Sequence, residues 1–174
     1  MTSEIDIRRL GARGTRARVE ELSVLLIDCV DGGASVSFMA PLSRERADRF
    51  WNCVADAVES GGTVLLVAEM DGELVGTVQL VPAPQENQPH RADVAKMLVR
   101  TSARRRGIGR ALMQAVEDVA RDLGRTLLVL DTVPGMEGER LYAGLGWIPV
   151  GRVPGFALMP NGAPCDTMFF YRQL

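Results

Sequence analysis

The chain has one histidine, His90, and three cysteines, Cys29, Cys53 and Cys165, with no C-x-x-C pair among them. No His/Cys cluster exists to hold a metal ion, so no metal is expected. An odd, scattered set of thiols reads as reduced cysteines of a cytoplasmic protein, not as a disulfide framework. No apolar run reaches the roughly 18 residues needed to span a bilayer, so no membrane association is expected. The start is polar and charged, unlike a signal peptide. Charge of either sign is also lacking in excess: 20 Lys and Arg against 22 Asp and Glu leave a net of −2. A general nucleic-acid binder would carry a broad basic surface, so no nucleic-acid partner is expected. No Gly-Lys-Ser/Thr is present for a P-loop, and the third glycine of a dinucleotide fingerprint is missing. No Ser, Cys or His arrangement suggests a covalent acyl-enzyme, and no paired-carboxylate or flavin pattern appears.

What is present is a 174-residue chain with 47% hydrophobic residues. That is enough for a sizeable core in one domain spanning residues 1–174. Ile5 and Ile7 alternate with charged residues, predicting a strand over residues 4–10. Thr15 is placed to cap a helix to about Val30, with Val19, Leu22, Leu25, Leu26 and Cys29 as its buried stripe. Asp31-Gly32-Gly33 ends it. Ser43 caps a second helix, whose Ala47, Phe50, Trp51, Val54 and Val58 recur at helical spacing. Strands over 63–70 and 73–81 flank Asp71-Gly72, a type I′ hairpin signal. The proline-rich residues 81–90 form a loop. A strand over 92–100 follows, then a helix to Leu123. Residues 126–132 are continuously apolar up to Asp131, as in a buried strand. A short helix over 137–145 precedes strands at 147–153 and 167–172, with a loop at 154–164. The order is β-α-α-β-β-β-α-β-α-β-β. The strands around the central helix need a crossover and lie parallel, while the hairpin strands are antiparallel. The expected class is α/β (α+β), with a mixed, mostly antiparallel sheet and helices on both faces.

The stretch Arg104-Arg105-Arg106-Gly107-Ile108-Gly109-Arg110-Ala111 lies where a strand turns into a helix. The first helical turn has N–H groups without internal partners, and the helix dipole is positive there. Glycines lack Cβ atoms, so an anion approaches the backbone closely. The arginines add attraction. This chemistry suits a phosphate or pyrophosphate, though a solvated Arg run is the plainer reading.

Arg104-x-x-Gly107-x-Gly109 resembles motif A of the GNAT acyltransferase family, in which the loop cradles the pyrophosphate of acetyl-CoA. The resemblance implies acetyl-CoA as acyl donor, held along Arg104, Arg105, Arg106, Gly107, Ile108, Gly109, Arg110 and Ala111. In that family the preceding strand pairs its backbone with the pantetheine arm, which falls here on Met97, Leu98 and Val99. Glu139 to Trp147 resembles motif B, where a short helix carries a tyrosine before a Gly-aromatic turn. That implies Tyr142 beside the donor, serving the leaving thiolate, and the plainer reading is a half-buried core aromatic. Asp131 ends the apolar strand and is either the base that takes the amine's proton or a cap of the Val133-Pro134-Gly135 turn. Residues 28–39, 150–156 and 160–162 resemble segments of tabtoxin-resistance acetyltransferases. They imply Gly32, Gly33, Phe38 and Asp131 on the acceptor side and a small amino-acid-like toxin or antibiotic as acceptor amine. The implied activity is direct acetyl transfer to a small-molecule primary amine, by a monomer or homodimer. A protein N-terminal acetyltransferase and a silent acyl-CoA-binding module are the alternatives.

Overall fold

The computed structural model describes residues 4–174. Its elements run β1 (Ile5–Leu10), α1 (Ala12–Ala17), α2 (Val19–Asp31), α3 (Arg44–Glu59), β2 (Val64–Met70), β3 (Glu73–Pro82) and β4 (Arg91–Val99). They continue with α4 (Ile108–Asp122), β5 (Leu127–Thr132), α5 (Glu137–Gly144), β6 (Ile148–Leu158) and β7 (Pro164–Gln173). The strands form one seven-stranded sheet in the order β1-β2-β3-β4-β5-β7-β6. Every pairing is antiparallel except β4 with β5.

Strand alternation sends side chains to two cores. Leu66, Ala68 and Met70 of β2 face one side, where Ile108, Leu112, Met113 and Val116 of α4 cover them. Leu65 and Val67 face the other, under Leu22, Leu25, Leu26 and Trp51 of α2 and α3. Helices therefore cover both faces, as the sequence pattern predicts. Ser43 caps α3 by accepting from the Arg46 N–H at 3.3 Å. Asp71 and Gly72 both have positive φ, 54° and 80°, as the type I′ turn demands.

Two expectations need correcting. The first helix does not start at Thr15. It starts after Gly11 and breaks at Arg18, giving α1 and α2. Thr15 is buried inside α1, and its hydroxyl donates back to the Gly11 carbonyl at 3.0 Å. A threonine can back-bond within a helix as well as cap one, and spacing alone does not separate the two. At the break, Arg18 ion-pairs with Glu21 and Glu69, the second from β2. The last hairpin is also longer than the predicted strands: β6 runs through Pro154 and Gly155 to Leu158. β6 is an edge strand, where proline costs no ladder bond, and its register is irregular between Val153 and Ala157.

Candidate active site

Two strand irregularities build the site. The first is the short parallel seam. β4 pairs with β5 only at Arg91–Leu127, Ala92–Leu128 and Asp93–Val129. Beyond Asp93 the strands diverge, and β4 keeps a partner only on its β3 side. Among the described residues no strand pairs with its other edge from Val94 onward, though side chains take the Lys96 and Val99 carbonyls. The second is a bulge at Lys96, where β4 carries an extra residue against β3 and φ turns positive, 50°. A bulge switches which face successive residues take. Val94 before it and Met97 and Val99 after it all pack toward α4, while Leu98 turns to the α2–α3 core. On the β3 side the strands are tightly apposed, since a Cβ on Gly76 would sit 2.9 Å from the Leu98 carbonyl oxygen.

A 3₁₀ turn at Thr101–Ala103 carries the chain from β4 into the arginine loop. Gly107 is the N-cap of α4 at φ 85°, a left-handed conformation that side chains disfavour. The first N–H groups of α4 thus open beside the free edge of β4. Ile108 is buried, so it offers that opening only backbone. Arg104 is half-buried and donates to the Val99 carbonyl at 3.4 Å. Arg105 and Arg110 are exposed. Arg106 turns aside, lining a hollow of about 250 Å³ with Arg100 and Glu73.

α5 is fastened to this frame through its C-terminal turn. The Trp147 indole donates to Glu117 Oε1 of α4 at 3.0 Å, in the interior. Arg172 of β7 lies 3.5 Å from the other Glu117 oxygen and donates to the Leu145 and Gly146 carbonyls at 3.0 Å. Arg121 also donates to that second oxygen at 3.5 Å, and a buried carboxylate with three partners is a strong fixing point. It sets Tyr142, which is 6% exposed, against Trp147 and Phe170 at ring distances of 6.1 and 6.2 Å. Burial pushes the Tyr142 phenol well above its ordinary value, and the negative charge of Asp131 adds to this.

A cleft of about 400 Å³ lies between the 35–39 loop, the end of β5 and the β6–β7 hairpin. Phe38, Asp131, Phe156 and Thr167 are among its lining residues. Asp131 Oδ2 accepts from the Thr167 hydroxyl at 2.7 Å, which leaves Oδ1 free to face the cleft's contents. The other cleft carboxylate, Asp166, is already taken by Arg152 at 2.6 Å and the Gly155 N–H at 2.8 Å.

Residues 33–147 match the acetyltransferase (GNAT) family. The chain belongs to the GNAT acetyltransferase family. An N-acetyltransferase of uncharacterised activity from Azospirillum brasilense is 36% identical over 106 residues, 60% of this chain and 61% of the relative. The match thus spans less than two thirds of that relative's length. Two solved structures share the fold. A ribosomal-protein-alanine N-acetyltransferase from Brucella melitensis gives a TM-score of 0.80 at 22% identity, covering 97% of this chain and 99% of its own. An acetyltransferase from Salmonella typhimurium, solved with acetyl-CoA, gives 0.80 at 18% identity, covering 99% and 95%.

In this GNAT chain the predicted donor residues lie along β4, the loop after it and the start of α4, apart from the outward turn of Arg106 and from Tyr142, which lies on α5. Of the predicted acceptor residues, Phe38 and Asp131 share the cleft, while Gly32 and Gly33 lie outside its lining and end α2. The 35–39 loop and Phe156 fall in the segments whose resemblance implied the acceptor side, whereas Ser37 and Thr167 were not singled out and no local motif marks them. Lys96 was also missed, yet a signal existed: of 20 Lys and Arg residues it is the only lysine.

Proposed function

We propose that this GNAT chain is an acetyl-CoA-dependent N-acetyltransferase moving an acetyl group to a primary amine of a small molecule by direct transfer. The observation that carries this is the junction of two features. The edge of β4 that runs toward the first turn of α4 is tied to the cleft that holds Asp131, because Lys96 of β4 donates to Ser37 of the cleft lining at 3.2 Å. The residues present fit acetyl-CoA. Backbone N–H groups from Gly107 to Arg110, with Arg104, Arg105 and Arg110, would hold the pyrophosphate, with Ala111 closing the turn by donating its N–H to the Gly107 carbonyl at 3.0 Å. Peptide groups of Met97, Leu98 and Val99 would pair with the pantetheine amides. Acetyl-CoA supplies the thioester and a thiolate leaving group.

An alkylammonium near pKa 10.4 costs about 4–5 kcal/mol to neutralise at pH 7. Asp131, oriented by Thr167, accepts the acceptor's N–H at Oδ1 and takes that proton. The raised phenol keeps Tyr142 protonated at neutral pH, so its O–H is available to a departing thiolate. The half-open cleft of about 400 Å³, walled by Phe38 and Phe156, has room for a small acceptor. An amino-acid-like toxin or antibiotic suits its size, and a resistance role follows from that reading. Three free thiols support a cytoplasmic setting. We also take the chain to act as a single domain, in a monomer or homodimer.

The test is thiol release from acetyl-CoA, read with Ellman's reagent across a panel of primary amines. Amine-dependent release with acetylated product identified by mass supports the reading. Acetyl-CoA binding by calorimetry without release on any amine would make the chain a silent acyl-CoA module. Release with N-terminal peptides alone would make it a protein acetyltransferase.

A further inference from the structure

The lone lysine sits at the bulge that aims it toward the cleft. Among the described residues its Nζ donates to Ser37 Oγ at 3.2 Å and lies 5.9 Å from the centre of the Phe50 ring. Ser37 lines the cleft and holds a positive φ of 75° to do so. Partial burial lowers the ammonium's pKa, and the nearby charge of Asp131 offsets only part of that. Lys96 has no carboxylate within ion-pair reach among the described residues. Asp131, on the cleft wall, has no cationic partner among the described residues and accepts from the Thr167 hydroxyl. The two charges sense each other without forming an ion pair. Partly desolvated charges of this kind are costly until a partner arrives.

Arginine serves at every other basic position, so the choice of lysine calls for a reason. A lysine presents a compact point charge on a thin stem, where a guanidinium is a wide planar fork. Between Ser37 and the Phe50 ring there is use for the compact form.

We infer that Lys96 anchors an anionic group of the acceptor, so that the acceptor is a zwitterion: an amine for Asp131 and a carboxylate for Lys96. This rests on the acetyl-transfer reading above and names the substrate class that the site selects. A carboxylate on the cleft wall and an ammonium held against that wall through Ser37, with no ion pair between them, are complementary to that class and to few others. A simple alkylamine would satisfy Asp131 and leave the lysine charge unmatched.

The experiment compares amino acids with their carboxamides, from α- to ω-amino spacing, on the wild type and Lys96→Met. ω-Amino pairs keep the amine's basicity nearly constant while removing the charge. In the best pair the acid should be preferred by about tenfold or more in kcat/KM, the effect of one charged hydrogen bond. Lys96→Met should abolish that preference through KM while still turning over the amide, which also shows that the variant folds. The single lysine permits a second readout independent of turnover. Reductive methylation with ¹³C-formaldehyde keeps its charge and labels only Lys96 and the chain's amino terminus. Acids should shift the Lys96 methyl resonance, and amides should not. Equal use of acid and amide by the wild type would overturn the inference, as would a preference that survives in Lys96→Met. A resonance unmoved by every acid would also overturn it. If acids move the resonance but no compound releases thiol, the anion anchor stands and the acetyl-transfer reading falls.

Discussion

The proposed donor end and the proposed acceptor cleft are built on different plans. The donor end is almost all backbone: a strand edge from Val94, a left-handed Gly107, and the first turn of α4. It spans one continuous stretch of chain. The proposed acceptor cleft is almost all side chain: Ser37 and Phe38, Asp131, Phe156 and Thr167, with Lys96 held against it through Ser37, drawn from five separate places. Backbone binding tolerates many sequences but demands glycine at fixed points. Side-chain binding demands particular groups and leaves no local pattern. The first plan suits a donor shared by a whole family, and the second suits an acceptor peculiar to one member.

Changes in the cleft should cost more than changes at the donor end, and mainly in turnover. Asp131→Asn should fall the furthest, by roughly 10²–10⁴-fold at neutral pH, because Asn accepts no proton. Asn also keeps the Thr167 bond, so the fold should hold. The pH–rate profile decides: the variant should regain rate as pH approaches the amine's own pKa. A profile superimposable on wild type would leave Asp131 as a cap of the following turn.

Tyr142→Phe should lower turnover by roughly 10²-fold with acetyl-CoA affinity nearly unchanged. The buried ring packing stays, so wild-type turnover in this variant would reduce Tyr142 to packing. The same residue has a stability signature. Its folded pKa lies above the unfolded value of about 10, so the unfolded chain loses this proton first as pH rises. The stabilisation is complete below about pH 10 and is lost above it. Urea midpoints taken through that range should fall more steeply in wild type than in Tyr142→Phe.

At the donor end, Gly109→Val should weaken acetyl-CoA by about tenfold, or about 1.4 kcal/mol. A Cβ there would come within 3.1 Å of Leu141 Cδ2 and 3.8 Å of Met97 Sδ. Side-chain bulk therefore also presses on α5. Calorimetry must be paired with a thermal melt, and a full loss of fold would leave Gly109 structural. The smallest effect belongs to salt. Arg105 is 83% exposed, 3.9 Å from Glu137, and such charges are screened beyond about 10 Å at 0.1 M salt. Affinity for acetyl-CoA should drop only severalfold from low to high salt, leaving the backbone share intact. A flat affinity would make these arginines a solvated run.

Legibility in the sequence followed the same division. The Asp71-Gly72 turn, the Ser43 cap and the strand–loop–helix around Gly107 could be read because each is local. The split at Arg18 could not, since a residue of distant β2 helps hold it. Nor could the Lys96 bulge, because it depends on register with β3. The long β6 was hidden by Pro154 and Gly155, which argue against a strand unless the strand is known to be an edge. Lys96 itself needed no structure, only a separate count of lysine and arginine.

The short parallel seam has a mechanical consequence. Three residue pairs join β4 to β5, whereas six join β5 to β7 and six join β1 to β2. The sheet is two panels on a narrow hinge, with unfilled rungs on one side of it. A pantetheine arm paired with β4 would occupy those rungs, so the donor would brace the protein as well as react with it. Amide hydrogens past the seam that point away from β3, among Val94 to Val99, should exchange quickly in the free protein and slow when acetyl-CoA is added. After turnover, the departing CoA would keep the same brace in place until it leaves, tying the pace of product release to the opening of the hinge.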